Sequence, residues 1–452
     1  MKTMDVTLVL THRCNLACSY CYAGDHHSAQ MDDATMDRAL DLLYADGASA
    51  AQLSFFGGEP FLAFAAMRRA VAGARERAAG RPVILQCTTN GAALTDEHVR
   101  FAVETGLRLT VSIDGVKEAH DLSRPRAGGQ SSFAAVERGL RLAIEAGGRP
   151  EAMMVITPAT APWLAESVAW LWDLGVERVR ANLSLREDWD GHREILQQQL
   201  IAVGRELLQR RLDLRRRVRD VPAAVAEALP VVDFEPFMPR GQGCGPSRQQ
   251  IVVGTSGNLY PCAPMVGEDR DAGPEAALRI GHVSDGAAAI ASRCSDGCAS
   301  GGSCACAAYL ETGDPTTGGE NGIWYARVCR EIGSAVTAGL AADAPRPIVI
   351  AARPPQPTRR RAFLGALLGV GGLALAGGGG LVALRLARPV NVECSRNPVV
   401  KGELSAPPEP RTNGDLKAPP PQPEFSPPPG GLAPPPPPPH KTQGVIRMPP
   451  HK

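Results

Sequence analysis

Cys14-Asn15-Leu16-Ala17-Cys18-Ser19-Tyr20-Cys21 puts three thiols on one short loop at C-x3-C-x2-C spacing. Three thiolates so close in sequence can hold three irons of a cubane 4Fe–4S cluster, leaving the fourth iron open to another ligand. Zinc is the competing metal, but it takes four protein ligands, and no fourth partner stands near this loop in sequence. The odd number of cysteines argues against disulfide pairing. The apolar run Val6–Leu10 leads straight into the loop, so the cysteines follow a strand.

Working outward, five more β-rich runs appear at Gln52–Phe56, Val83–Cys87, Arg108–Ile113, Ala152–Ile156 and Arg178–Leu183. Helical patterns separate them at Thr35–Tyr44, Phe64–Ala78, Asp96–Thr105, Phe133–Ala146 and Pro162–Leu174. Strands alternating with helices predict an α/β fold of βα units, with a parallel sheet or an incomplete barrel. Gly57-Gly58-Glu59-Pro60 follows the second strand, Thr89-Asn90-Gly91 the third, and Ser112-Ile113-Asp114-Gly115 the fourth. All these motifs therefore fall at C-terminal strand ends, the edge where parallel α/β folds build their sites.

This set resembles the radical S-adenosylmethionine (SAM) enzymes, with Tyr20 as the aromatic residue of the cysteine motif. The resemblance implies a partial (β/α)6 TIM-like barrel over residues 1–190. It implies that Cys14, Cys18 and Cys21 hold a 4Fe–4S cluster whose open iron is chelated by the amino and carboxylate groups of SAM. Gly57, Gly58, Glu59 and Pro60 match the motif that binds the SAM amino group. Glu59 would accept from the ammonium, and the glycines would let the backbone approach the ligand. Ser112 and Asp114 would complete the cofactor site, Ser112 toward the SAM carboxylate or ribose. One electron, from a flavodoxin- or ferredoxin-type donor, would cleave SAM to methionine and a 5′-deoxyadenosyl radical that abstracts hydrogen. His120-Asp121, Arg124 and Ser131-Ser132-Phe133 follow as in the peptide-modifying branch.

A second constellation comprises Cys244, Cys262, Cys294, Cys298, Cys304, Cys306 and Cys329, with Asn258-Leu259-Tyr260-Pro261 leading into Cys262. It resembles the SPASM extension, which carries auxiliary iron–sulfur clusters in peptide and protein maturases, here across residues 241–335. By that pattern Cys244, Cys262 and Cys306 would bind a first auxiliary cluster, and Cys294, Cys298, Cys304 and Cys329 a second. Two spacings depart from the family's: Cys298 follows one extra residue, and Cys304 and Cys306 stand two residues closer. On spacing alone, a zinc-ribbon-like site using four of the seven is the alternative. Cys87 ends an apolar strand and reads as a core thiol. The implied substrate is a ribosomal peptide or a protein. Sulfatase maturation is an alternative, although that branch carries an Asp after the equivalent of Cys262 and this chain has Ala263. The first strand begins close to Met1, so no leader-binding domain is expected ahead of the barrel.

Composition bounds the remainder. The 452 residues include 12 Cys and 40 Pro at a formal net charge of +1, which gives no global footprint for nucleic acid. No secretory signal opens the chain, so the catalytic part is expected in a reducing cytoplasm. Residues 191–240 read as a helical bridge. Its Arg210, Arg211, Arg215, Arg216, Arg217 and Arg219 are expected on a solvated face, with an acidic peptide partner as the alternative. Residues 341–361 are a linker, and 362–384 an uncharged run preceded by Arg359, Arg360 and Arg361. As a helix that run would span roughly 34 Å, enough for a membrane anchor; its flank also resembles a twin-arginine signal, as in a fused exportable substrate. Residues 385–452, with Pro434–Pro439, read as a disordered Pro-rich tail. A rival from another class is a membrane-anchored metal-cluster adaptor acting through this tail.

Overall fold

The computed structural model describes residues 3–218, 231–236, 250–270, 274–286, 305–314, 319–344, 348 and 350. Its framework is one ten-stranded sheet. Six βα-related strands form its centre: β1 (Thr3–Thr11), β2 (Ala50–Gly57), β3 (Val83–Thr89), β4 (Leu107–Ser112), β5 (Glu151–Ile156) and β6 (Arg178–Leu183). Later strands extend both edges: β7 (Asp233–Pro236), β8 (Gln250–Val253), β9 (Asn258–Tyr260) and β10 (Gly281–His282). The order is β10-β9-β8-β1-β2-β3-β4-β5-β6-β7, parallel from β8 through β7 and antiparallel through β8, β9 and β10.

The expected run of six strands is present, and the sheet is longer than the pattern predicts. β8 lies parallel beside β1 with Asp5 opposite Gln250, so the first strand is internal. From Val6 to Thr11 every β1 residue is buried. A parallel strand covered on both faces loses the alternation that marks half-exposed strands.

The helices are α1 (Asp33–Leu40), α2 (Phe64–Ala78), α3 (Asp96–Thr105), α4 (Lys117–Ser123), α5 (Phe133–Glu145), α6 (Leu164–Leu174), α7 (Arg193–Val218), α8 (Ala305–Thr312) and α9 (Glu320–Ala341). Local chemistry sets several ends. The side chains of Asp32 and Thr95 accept from the backbone N–H of Thr35 and His98, starting α1 and α3. α1 stops at Leu40 and continues as 3-10 turns over Asp41–Gly47, shorter than the predicted Thr35–Tyr44 helix. α9 arises where the Cys- and Gly-rich composition signals little helix. Tyr325, Val328, Cys329, Ile332 and Val336 line its buried face at helical spacing, but Gly322 and Gly339 share that face and dilute the apolar pattern.

The arginines of α7 are not simply solvated. Arg210 pairs with Glu206 and Asp173, Arg211 with Asp233, and Arg216 with Asp213, while Arg215 donates to the Leu340 carbonyl. Arg210, Arg211 and Arg215 thus tie the helix to α6, β7 and α9, while Arg215, Arg216 and Arg217 are exposed, as a solvated face requires. Arg219, Cys244, Cys294, Cys298, Cys304 and the 362–384 run lie outside the described residues. Among the described residues no helix is long and apolar enough to cross a membrane.

One β1 residue costs stability. Asp5 accepts from Gln52 Nε2 at 2.8 Å through Oδ2, its Oδ1 has no partner, and burial pushes its pKa up to about 6. The folded protein therefore holds this proton more tightly than the unfolded chain, and stability falls as pH rises from about 4 through about 6. Asp5→Asn is expected to raise stability at pH 8 by up to about 3 kcal/mol and to change little at pH 4. Urea midpoints at the two pH values check this; an equal effect at both would contradict it.

Candidate functional site

The cysteine loop leaves β1 at its C-terminal end and is pinned by backbone on two sides. On one, Gly58 N–H donates to Thr11 O at 2.9 Å and Glu59 N–H to Arg13 O at 2.8 Å. On the other, Ala17 N–H donates to Pro125 O and Ser19 N–H to Ser123 O at 2.8 and 2.9 Å, with Leu16 bridged antiparallel to Arg126. Cys14, Cys18 and Cys21 are free and half-buried. Burial pushes the Cys14 thiol up to about 12 and Cys18 to about 11, and raises Cys21 too; the Arg124 charge opposes this at Cys18 and Cys21. Asn90 Nδ2 donates to Cys14 Sγ at 3.7 Å and to Asn15 Oδ1 at 2.7 Å.

The glycines after β2 are required for contact with this loop. A Cβ on Gly58 would stand 2.2 Å from Arg13 O, and one on Gly57, at φ +124°, 2.6 Å from Thr11 O. They thus let two backbones meet just ahead of Cys14.

Glu59 is fully buried and already has three donors. Oε1 accepts from Thr89 Oγ1 at 2.7 Å and Phe61 N at 3.1 Å, and Oε2 from Asn90 N at 2.7 Å. Burial raises its pKa and these donors oppose the rise. A carboxylate offers about four acceptor sites, so about one remains for a ligand. Pro60 opens the 3-10 turn Pro60–Ala63, where its missing N–H costs nothing.

Ser112 ends β4 half-buried, beside the same edge. Asp114 is buried within the protein's own network. Its Oδ2 accepts from Tyr20 Oη at 2.6 Å and Oδ1 from Val155 N at 3.0 Å, and Arg124 Nη1 lies 3.7 Å from Oδ1. Arg124 Nη1 also donates to Tyr20 Oη at 2.5 Å. Beneath them, His120 Nδ1 accepts from Asp114 N, so its Nε2 donates to Ser132 Oγ, which in turn donates to Arg124 O at 2.6 Å. Burial lowers the His120 pKa to about 3 and keeps it neutral. Tyr20 and Asp114 therefore hold the cysteine loop to β4, a role that the motif alone does not reveal.

Of the second constellation, Cys262, Cys306 and Cys329 are described. Cys262 and Cys306 pack in one small apolar cluster with Met265, whereas Cys329 belongs to the main core, one turn after Tyr325 on α9. Tyr22, stacked on Phe56, feels the thiols of Cys21, Cys262 and Cys306 together, so the two constellations approach one another there. Glu268 fastens the same region. Its Oε1 accepts from Asp25 N at 2.8 Å, and its carbonyl lies 3.0 Å from His27 Nε2. Cys87 is a buried core thiol, as expected.

The donor chemistry of the loop fits an iron–sulfur cluster. Three neutral, free thiols stand where only a strongly cationic partner would draw them into thiolates. Among the described residues, no three His, Cys, Asp or Glu side chains converge tightly enough for a single metal ion. A cubane makes a different demand, one thiolate on each of three irons. Thr89, Asn90 and Arg124 are the residues whose parts sequence reasoning did not assign; their only sequence signal was a place in or near strand-end motifs.

The model of the Radical SAM superfamily matches residues 8–170. An uncharacterised protein of Methanocaldococcus jannaschii is 29% identical over 178 residues, 39% of this chain and 61% of that protein. The serine-type anaerobic sulfatase-maturating enzyme of Bacteroides thetaiotaomicron is 31% identical over 160 residues, 33% of this chain and 38% of the enzyme. The match thus spans less than two thirds of either relative. A solved structure, anSMEcpe with bound AdoMet, superposes with a TM-score of 0.56 at 16% identity, over 75% of this chain and 95% of that one.

Proposed function

We propose that this chain, whose residues 8–170 match the model of the Radical SAM superfamily, is an enzyme that uses SAM to take hydrogen from a peptide or protein side chain. The observation that carries this reading is the convergence on the cysteine loop: the β2, β3 and β4 ends all bond to it. Cys14, Cys18 and Cys21 would hold the 4Fe–4S cluster. Gly57, Gly58, the remaining acceptor site of Glu59, and Ser112 would face SAM. Bound together, cluster and SAM would supply a 5′-deoxyadenosyl radical, one electron cleaving SAM to that radical and methionine, and the radical would remove a hydrogen atom. Tyr20, Asp114 and Arg124 keep the loop in place from within the fold.

Cys244, Cys262 and Cys306 would hold one auxiliary cluster, and Cys294, Cys298, Cys304 and Cys329 another. The packing of Cys262 with Cys306, and of Cys329 apart from them, supports this division. Two products are in view: a cross-link or oxidised residue in a ribosomal peptide, or formylglycine in a sulfatase. The similarity to the Bacteroides sulfatase-maturating enzyme favours the second; Ala263 after Cys262 favours the first.

Anaerobic reconstitution is expected to give roughly eleven to twelve irons per chain, with 5′-deoxyadenosine formed on reduction with SAM. Incubation with a serine-containing sulfatase peptide and with a small precursor peptide encoded nearby then separates the two products. Formylglycine carries an aldehyde that reacts with a hydrazide, and a cross-link does not. Intact clusters without 5′-deoxyadenosine would instead favour the metal-cluster adaptor.

A further inference from the structure

We infer that Arg124 is a positioning residue that sets the electron affinity of the group held by Cys14, Cys18 and Cys21, with Asp114 as its counterweight; this rests on the reading of that group as an iron–sulfur cluster. The placement comes from backbone register. Leu16 is bridged to Arg126, Ala17 N–H bonds Pro125 O, and Ser19 N–H bonds Ser123 O. In that antiparallel register Cys18 stands directly opposite Arg124. Cross-strand neighbours of this kind sit close enough for their side chains to interact.

Arg124 is the only arginine or lysine buried among the described residues, at 6% exposure. A guanidinium stays charged in any protein setting. Its position is over-determined: Nη1 donates to Tyr20 Oη, and the Arg124 carbonyl accepts from Ser132 Oγ. Asp114, with a side chain fully shielded from solvent, lies 3.7 Å away and offsets part of the charge. Among the described residues the buried Arg124 Nε–H has no hydrogen-bond partner.

An added electron is stabilised by a fixed cation in a low-dielectric site and destabilised by a fixed anion; net charge and hydrogen bonds tune iron–sulfur potentials in this way. Removing Arg124 and removing the charge of Asp114 should therefore act with opposite sign. In full-length reconstituted protein, an EPR-monitored redox titration of the SAM-sensitive signal reads this directly. Arg124→Gln is expected to move the midpoint to more negative potential, Arg124→Lys to restore most of it, and Asp114→Asn to move it to more positive potential. If the glutamine variant fails to load iron, the lysine and asparagine variants still decide. Unchanged midpoints, or shifts of one sign in Arg124→Gln and Asp114→Asn, would overturn the assignment and mark the pair as purely structural. A wild-type protein with no reducible SAM-sensitive cluster would overturn the underlying reading instead.

Discussion

Cys18→Ala is expected to abolish SAM cleavage, with 5′-deoxyadenosine falling to background and iron dropping by about four per chain. Cys14→Ala and Cys21→Ala should do the same, because each thiolate serves a different iron and the loop offers no spare. Asn90 cannot substitute, since its amide donates to Cys14 and its Oδ1 accepts from Ala92 N. The fold should hardly register the change. Cys18 is half-buried and its segment is held by backbone bonds to residues 123 and 125, so a stability loss under about 1 kcal/mol is expected. Iron analysis, product chromatography and thermal unfolding together separate loss of the group from loss of the fold. Cleavage at the wild-type rate would remove the basis of the proposed activity.

Glu59→Ala is expected to give the opposite pattern, a fold defect first. It strands three donors, Thr89 Oγ1, Asn90 N and Phe61 N, in a site closed to water. Each buried unpaired group costs about 1–3 kcal/mol, so a loss of about 3 kcal/mol or more should follow. Glu59→Gln keeps the shape but turns an amide N–H₂ toward a donor on one side. A loss of about 1–3 kcal/mol is expected, with the cysteine loop still able to load iron and SAM affinity reduced. Denaturation midpoints, iron content and SAM titration measure the three effects. A stable Glu59→Ala protein with ordinary SAM affinity would show that the carboxylate neither joins the strand ends nor faces the cofactor.

These two residues show how far the sequence could be read. The cysteine loop was legible because its chemistry is local: three thiols within eight residues restrict the partner, whatever the fold around them. The strands were legible from apolar runs, and Arg178–Leu183, Phe64–Ala78 and Asp96–Thr105 form over the predicted spans. The donors that Glu59 meets inside the fold were not legible, because Thr89 and Asn90 lie 30 and 31 residues away and nothing local marks their approach. The same holds for Tyr20 with Asp114 and Arg124, separated by 94 and 104 positions. The pairings of Arg210 and Arg211 on α7 were not legible because Asp173 and Asp233 belong to other elements. Composition records charges and spacing, but pairing is decided by topology.

The internal position of β1 carries a consequence for how the protein is made. One side of this strand can pair once β2 emerges, but the other waits for Gln250 and its neighbours. At synthesis rates of about 5–20 residues per second, the nascent chain carries that bare apolar edge for about 10–50 s. The contacts of Asp25 and His27 with Glu268 form later still. A chain stopped short of residue 250 keeps the edge exposed, so truncation favours aggregation over a smaller working unit.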